Sequence, residues 1–499
     1  MTPAAATDMQ LATLFKGLVA DAPALDVADL ALDSRAVTRA GLFLACPGTR
    51  QHGLDFVSDA LRAGAGAVAW EPGPGLRAPD LPPHVPGLAV PALREHLGEL
   101  ANRFFARPSE AVPVTGITGT NGKTTTAWLV MQAIGRLGGR GGYLGTLGHG
   151  IDGRVRAAKL TTPDCISVHR HLRELADAGA TAVAAEISSH ALDQDRVAGV
   201  RFRIVAFTNL SRDHLDYHAD LAAYGAAKAR LFTTGADTAV INLDDPFGRE
   251  LAGRLPAGTR LLGVSLAGVA GATLAANLAD TGPEGLVLEL REGAGKARLA
   301  SPLWGRFNAE NLLLAAGILR AGGASLADVA AALGQATAPP GRMERVPGPP
   351  GAPAVLVDFA HTPDALAQAL AAVREHCAGE VWCVFGCGGD RDRGKRAPMG
   401  AAAVAGADRV IVTDDNPRHE DPQQIIADIL AGAPALDRLQ VVPDRAAAIA
   451  RAIRLARAGD AVLIAGKGHE TVQVKGNQHR PFSDVAAARA ALPLQGGSA

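Results

Sequence analysis

Net charge is nearly absent from this chain. Lys and Arg total 49 against 50 Asp and Glu, a formal −1 over 499 residues. No broad positive field is available to attract nucleic acid or an anionic membrane surface. Cysteine is scarce too: five residues, at 46, 165, 377, 383 and 387, with no C-x-x-C pair among them. They read as free thiols of a reducing cytoplasm, not as a disulfide framework. No uninterrupted apolar stretch reaches the length of a membrane span. The opening Met1-Thr-Pro-Ala-Ala-Ala-Thr-Asp8 lacks the basic region and apolar run of a secretory signal. No repeat of fixed period is visible. These absences lead to the expectation of a cytoplasmic protein without membrane insertion.

Lysine is also rare, eight residues against 41 Arg, so each one is worth placing. Four of them (Lys123, Lys228, Lys395 and Lys467) fall in stretches that look chemical for other reasons. What is present otherwise is ordinary for a globular protein: 48% hydrophobic and 20% charged residues. A chain this long suggests roughly three domains.

The chain is organised around residues 112–126. Val112, Val114, Thr115 and Ile117 form a short β-branched run, which reads as a strand. A Gly-rich turn follows, and residues 126–134 read as a helix. This is the layout of a phosphate-binding loop, in which backbone N–H groups face the anion and Lys123 adds a point charge. Thr124 stands where a hydroxyl usually meets Mg²⁺. The spacing departs from G-x-x-x-x-G-K-[ST] by one residue, with glycines at 116, 119 and 122.

The fold expectation is α/β in three domains: a small N-terminal α/β domain over 1–108, a central ATPase-like domain with a mostly parallel sheet over 109–340, and a Rossmann-like domain over 341–499. In the first, Asp33-Ser-Arg35 reads as a polar loop able to hold an anionic or uridine-like ligand, or as a strand edge with a solvated Arg. A helix over about 93–105 leads to the first boundary. In the second, strands at 182–187, 204–208 and 239–242 alternate with helices, which argues for ligands at the carboxyl ends of the strands. Glu186, Asn209 and His214 fall at such ends, where a carboxylate and a histidine suit an ion near Thr124. Lys228 lies in a helix among small and apolar residues, where an ammonium is costly to bury unless paired or modified. Asn308 and Asn311 sit near the start of another helix, as caps or nucleobase contacts. In the third domain, strands end at Asp358 and His361, at 386–396, at 414–418 and at 466–470. Arg391, Arg418 and Lys467 stand there beside Asp415 and Glu470. Both signs together suit a zwitterion such as an amino acid, with Arg for a carboxylate and Glu for an ammonium.

These stretches closely resemble the Mur ligases, along essentially the whole chain. The resemblance is carried by Asp33-Ser-Arg35, Gly116-Ile-Thr-Gly-Thr-Asn-Gly-Lys-Thr-Thr-Thr126, Glu186-Ile-Ser-Ser-His190, Tyr224-x-x-x-Lys228, Gly386-Cys-Gly-Gly-Asp-Arg391, Asp415-Asn-Pro-Arg418 and Gly466-Lys-Gly-His-Glu470. The odd glycine spacing is this family's own form of the loop. The resemblance implies that Leu32 and Ser34, with Thr49, Arg50 and Gln51, hold the UDP part of a substrate. Gly119, Thr120, Asn121, Gly122, Lys123, Thr124 and Thr125 would bind ATP phosphates. Asn308, Asn311 and Arg342 would complete the nucleotide contacts. Thr124, Glu186, His214 and a carbamylated Lys228 (N6-carboxylysine) would serve Mg²⁺. Thr161, Thr162, Ser188, Gln194 and Arg196 would hold the muramoyl-dipeptide. Arg391, Asp415, Asn416, Pro417, Arg418, Gly466 and Glu470 would bind meso-diaminopimelate. Leu160 departs from the family, because many relatives carry a polar Asn before Thr161-Thr-Pro163.

The implied reaction is ATP-dependent amide ligation. The D-Glu γ-carboxylate of UDP-N-acetylmuramoyl-L-alanyl-D-glutamate is phosphorylated, and the amine of meso-diaminopimelate attacks the acyl phosphate. Lys123, Lys228 and His214 are the expected catalytic residues. The partners are these small molecules, with no nucleic acid, and the protein is expected to act as a monomer. Arg418 separates the diaminopimelate-adding pattern from lysine-adding relatives, which lack that Arg. The rivals are a lysine-adding ligase, a folylpolyglutamate synthetase, and a nucleotide switch whose ADP production ignores amino acids.

Overall fold

The computed structural model describes residues 8–48, 51–158, 160–214, 216–433 and 437–492. It forms two compact units, Met1–Lys123 with Val130–Gly263, and Thr124–Leu129 with Val264–Ala499.

The first unit opens with a small parallel sheet of strands Leu30–Ala31, Leu42–Ala45, Ala67–Trp70 and Gly87–Ala89, in that order. Side chains alternate across a strand, and here both faces are covered. Leu42, Leu44, Ala67 and Ala69 pack into one cluster with helix Leu93–Phe104, while Phe43, Ala45 and Val68 pack into another. Asp33, just past the first strand, accepts from Arg35 N at 2.9 Å and caps the turn Ser34–Ala36.

The larger sheet of this unit is built around Val114–Thr118. Ala182–Glu186 and Phe202–Phe207 flank it in parallel, one on each side. Gly141–Gly145 and Thr238–Asn242 continue the parallel sheet outward. Gly148–Ile151 and Arg154–Arg156 close one edge antiparallel. All five residues of Val114–Thr118 are buried, as expected of a parallel strand covered on both faces. The loop after it therefore opens where the strand order reverses, the usual place for a ligand in such a sheet. Its helix runs Lys123–Arg136, so it begins three residues earlier than the apolar pattern indicates. Lys123 and the threonines behind it form its first turn.

In the second unit, Leu274–Gly282, Gly285–Glu292 and Gly295–Ser301 form an antiparallel meander, followed by helices Arg306–Ala321 and Leu326–Gly334. A six-stranded sheet then has the order Glu344–Val346, Ala354–Asp358, Ala461–Ala465, Val381–Phe385, Arg409–Val412, Leu439–Val441. All its pairings are parallel except the first. Leu356, Cys383, Val410 and Leu463 face one core; Val357, Val384, Ile411 and Ile464 face the other. The strand ends at Asp358, Phe385, Val412 and Ala465 release four loops on one edge. A hairpin, Val472–Lys475 with Gln478–Pro481, follows the last of them.

Candidate functional site

In the first unit the phosphate loop is held by the neighbouring strand end. Thr120 N donates to Asn209 O at 2.8 Å, and Asn121 N to Asn209 Oδ1 at 2.9 Å. Thr208 Oγ1 donates to Asn121 O at 2.6 Å. Gly119 has φ +146°, and a Cβ there would sit 1.8 Å from Thr208 Oγ1, so only glycine fits. Lys123 Nζ lies over the loop, 2.8 Å from the carbonyls of both Gly119 and Thr120.

Lys228 also donates to Gly119 O, at 2.7 Å. Its side chain is buried and its Nζ lies 4.1 Å from the Tyr224 ring centroid. Burial, and then the charge of Lys123, push its pKa down to about 6, against a weaker pull from Asp213. At neutral pH this amine is mostly unprotonated, which is the form that reacts with carbon dioxide.

The expected dipeptide-binding residues come together. Thr162 Oγ1 donates to Glu186 O at 2.8 Å and accepts from Ser188 N at 3.1 Å. Arg196 donates to Thr162 O at 2.9 Å and, through Nη2, to Gln194 Oε1 at 2.6 Å. Thr161 and Thr146 hydroxyls are 3.1 Å apart. Glu186 is fully buried, and it accepts from the Tyr143 hydroxyl, from Thr146 N at 2.9 Å and from Thr146 Oγ1 at 3.2 Å. Sequence reading missed Tyr143 and Thr146, which reach Glu186 only because Gly141–Gly145 pairs with Ala182–Glu186.

His214 has φ +53° and stands 3.5 Å from the Asp213 carboxylate. Its ring meets His190 edge-on at 5.0 Å, and His190 in turn meets Tyr217 at 4.1 Å. Burial lowers the His190 pKa, with His214 and His218 adding to the effect. Among the described residues, no three His, Cys, Asp or Glu side chains form a ready metal cage.

Of the expected uridine-side residues, Leu32 and buried Ser34 follow strand Leu30–Ala31. Gln51 follows the adjacent Leu42–Ala45, its carbonyl accepting from Gly48 N at 3.0 Å. Thr49 and Arg50 lie outside the described residues.

In the second unit, Thr124 and Thr125 are buried in the first helical turn. Thr126 Oγ1 stands 3.4 Å from Asn311 Oδ1. Asn311 donates to Asn308 Oδ1 at 3.1 Å, and Asn308 donates to Trp304 O at 2.8 Å. Neither Asn caps the helix, because its N-cap is Gly305. The Arg342 guanidinium carbon lies 4.8 Å from the Phe359 ring centroid. Burial raises the Asp358 pKa, and Arg342 partly opposes it.

The four loops on the edge of the six-stranded sheet are laced together. Gly389 N donates to Asn416 O at 2.9 Å, and Arg418 Nη1 to Gly389 O at 2.8 Å. A Cβ on Gly389 would lie 1.9 Å from Pro417 O, and one on Gly388 3.7 Å from Arg391 Cγ. A Cβ on Gly466 would lie 2.8 Å from Asp415 Oδ2. Asn416 Nδ2 donates to Glu470 Oε2 at 2.7 Å. Burial raises the Asp415 pKa, whereas the Lys467 and Asn416 hydrogen bonds outweigh burial at Glu470 and lower it. Asp415, Asn416, Pro417, Arg418, Gly466 and Glu470 thus form one cluster of mixed charge at these strand ends, with Arg391 beside Gly388.

Residues 26–105 match the Mur ligase family catalytic domain, 117–319 the Mur ligase middle domain, and 341–468 the Mur ligase glutamate ligase domain. A relative from Alkalilimnicola ehrlichii, named UDP-N-acetylmuramoyl-L-alanyl-D-glutamate–2,6-diaminopimelate ligase, is 49% identical over 98% of this chain and 100% of its own length. A Pseudomonas aeruginosa protein of the same name is 48% identical, over 93% of this chain and 95% of its own. A solved structure under that name superposes with a TM-score of 0.72 at 36% identity, over 97% of this chain and 99% of that one.

Proposed function

The chain belongs to the Mur ligase family, and from that premise we propose that it joins meso-diaminopimelate to UDP-N-acetylmuramoyl-L-alanyl-D-glutamate with hydrolysis of ATP. The observation that carries this reading is the cluster of Asp415, Asn416, Arg418 and Glu470. It offers a guanidinium for a second carboxylate and a carboxylate for an ammonium, on a chain that also bears a phosphate loop.

The chemistry follows from the residues. The loop 119–125 would cradle the ATP phosphates, with Lys123 swinging its ammonium from the Gly119 and Thr120 carbonyls to the phosphate oxygens. Asn308, Asn311 and Arg342 would hold the rest of the nucleotide. The D-Glu γ-carboxylate, placed by Thr161, Thr162, Ser188, Gln194 and Arg196, attacks the γ-phosphorus and ADP leaves. The amine of diaminopimelate then attacks the acyl carbon, and phosphate leaves with the amide formed. Positioning and charge neutralisation supply most of the acceleration in such transfers.

The donors on the reacting side suit Mg²⁺. Thr124 and Glu186 offer oxygens, which that ion prefers, and His214 adds a ring nitrogen. Lys228 is buried, with its pKa low enough to accept a carboxyl group, and would become an oxygen ligand as the carbamate. Bound there, Mg²⁺ would neutralise charge on the phosphoryl oxygens. Leu32, Ser34 and Gln51, with Thr49 and Arg50, would take the uridine side, and 1–108, 109–340 and 341–499 would divide these tasks as three domains. Among the described residues no helix is long and apolar enough to cross a membrane, and we place the protein in the cytoplasm as a monomer. There it would serve peptidoglycan precursor synthesis, and through it cell shape and division.

Arg418→Ala tests the reading. The KM for diaminopimelate should rise by about 100-fold, the order expected when a charged hydrogen bond of 1.5–3 kcal/mol is lost, with the KM for ATP within twofold. Equal loss of both would remove Arg418 from the amino-acid site.

A further inference from the structure

Lys467 stands beside Asn416 and Glu470 with its side chain fully buried. A lysine ammonium has three protons to donate, and all three find acceptors. They are Asn416 Oδ1 at 3.0 Å, Glu470 Oε2 at 2.9 Å and Val472 O at 2.8 Å. A buried charge this completely bonded is held in one place.

Those bonds also settle how its neighbours point. Asn416 Oδ1 accepts from Lys467 and from Val474 N, the latter at 3.0 Å. The amide nitrogen is therefore the atom turned to Glu470, 2.7 Å from Oε2. Glu470 Oε2 receives both Lys467 and Asn416, so among the described residues Oε1 is the oxygen left for a ligand.

The third bond reaches the hairpin Val472–Lys475 with Gln478–Pro481. This hairpin lies along the 415–418 loop. Gln473 Nε2 donates to Asp415 O at 2.9 Å, and Arg418 N donates to Val474 O at 3.0 Å. Gly476 N donates to Arg418 O at 2.6 Å. Between those two backbone bonds Arg418 sits at φ +51°, a left-handed conformation that an L-residue adopts only when its surroundings impose it. The hairpin thus sets the backbone from which the Arg418 side chain reaches Gly389.

We propose that Lys467 is the positioning residue of the amino-acid site, orienting the Glu470 carboxylate toward the substrate ammonium, both directly and through the Asn416 amide, and anchoring the hairpin that sets Arg418. This inference rests on the amino-acid-site reading above and goes beyond it, because Lys467 itself does not touch the substrate. It also requires Glu470 to stay ionised, which agrees with the direction of its shift.

The test uses the full chain carrying Lys467→Met, assayed by phosphate release with ATP, Mg²⁺, the UDP-muramoyl dipeptide and meso-diaminopimelate. The KM for diaminopimelate should rise about 10- to 100-fold, the range of one charged hydrogen bond, while the KM for ATP stays within twofold. The pH profile is the readout that mere packing would not move. Without the ammonium, Glu470 takes up a proton more readily. The acid limb of kcat/KM for diaminopimelate should therefore move to higher pH. In a Glu470→Gln background, Lys467→Met should add less to KM than it does alone, because only the hairpin route is then left to lose. Asn416→Asp asks the same question by another route if Lys467→Met does not fold. It keeps a carboxylate oxygen for Lys467 and Val474 N, and sets its second oxygen against Glu470 Oε2, which should move the same acid limb upward. An unchanged KM and acid limb in a folded Lys467→Met, or in Asn416→Asp, would overturn the inference while wild-type turnover with diaminopimelate upheld the function. A wild-type enzyme that ignores diaminopimelate would overturn both.

Discussion

Lys228 shows how much one side chain can reveal. Its folded pKa lies near 6, far below the ordinary lysine value of 10.5. Between those values the unfolded chain binds a proton that the folded chain does not. Stability must then rise with pH across that window, by about 1 kcal/mol per pH unit from this group alone. Metal-free protein in carbon-dioxide-free buffer, unfolded in urea at pH 7 and pH 9, should show that gain, and Lys228→Met should lack it. The same pH dependence in both proteins would contradict the buried-amine account. Given ¹³C-bicarbonate, the wild type should show a carbamate resonance that Lys228→Met does not. The lysine itself could be singled out from sequence, because lysine is rare here and its helix is apolar. Its bond to Gly119 O could not, since the two residues are 109 positions apart.

At the scale of elements, the phosphate loop is the part most legible in sequence. Strand, glycines, lysine and helix follow one another locally, and their order alone defines the motif. Gly119→Ala should abolish ATP-dependent turnover, because its Cβ would collide with Thr208 Oγ1. An enzyme retaining wild-type kcat with that substitution would contradict the packing described here. Contacts made through sheet register were not legible. Tyr143 and Thr146 reach Glu186 from a strand that no motif marks. The same holds for the pair Arg445 and Asp484, which joins helix Arg445–Leu455 to helix Asp484–Ala491 through two bonds of 2.7 and 2.8 Å. Both side chains are fully buried. Arg445→Met leaves a buried carboxylate unpaired and should cost about 3–5 kcal/mol in chemical denaturation. Adding Asp484→Leu should recover part of that loss, because the stranded charge is then gone.

For the whole molecule, alternation of strands and helices foretold the parallel sheets, and the strand ends foretold where the polar residues gather. The meander Leu274–Ser301 escaped notice. Its strands are half-buried and antiparallel, so they carry no continuous apolar run of the kind that marked the others. The position of a motif in the chain was informative where the chemistry is local, at the phosphate loop. It was less informative where a site is assembled from four separate loops, as around Asp415 and Glu470. There the charges could be seen, but the Lys467 bonds that order them needed the fold.

This enzyme spends ATP to attach an amino acid bearing a second carboxylate. The most direct measurement is phosphate release with ATP, Mg²⁺ and UDP-N-acetylmuramoyl-L-alanyl-D-glutamate, comparing meso-diaminopimelate with L-lysine, which differs at that carboxylate. Release with diaminopimelate and not with lysine is the result this account predicts. Equal release with both would contradict the role of Arg418, and release that needs neither would contradict the ligase itself.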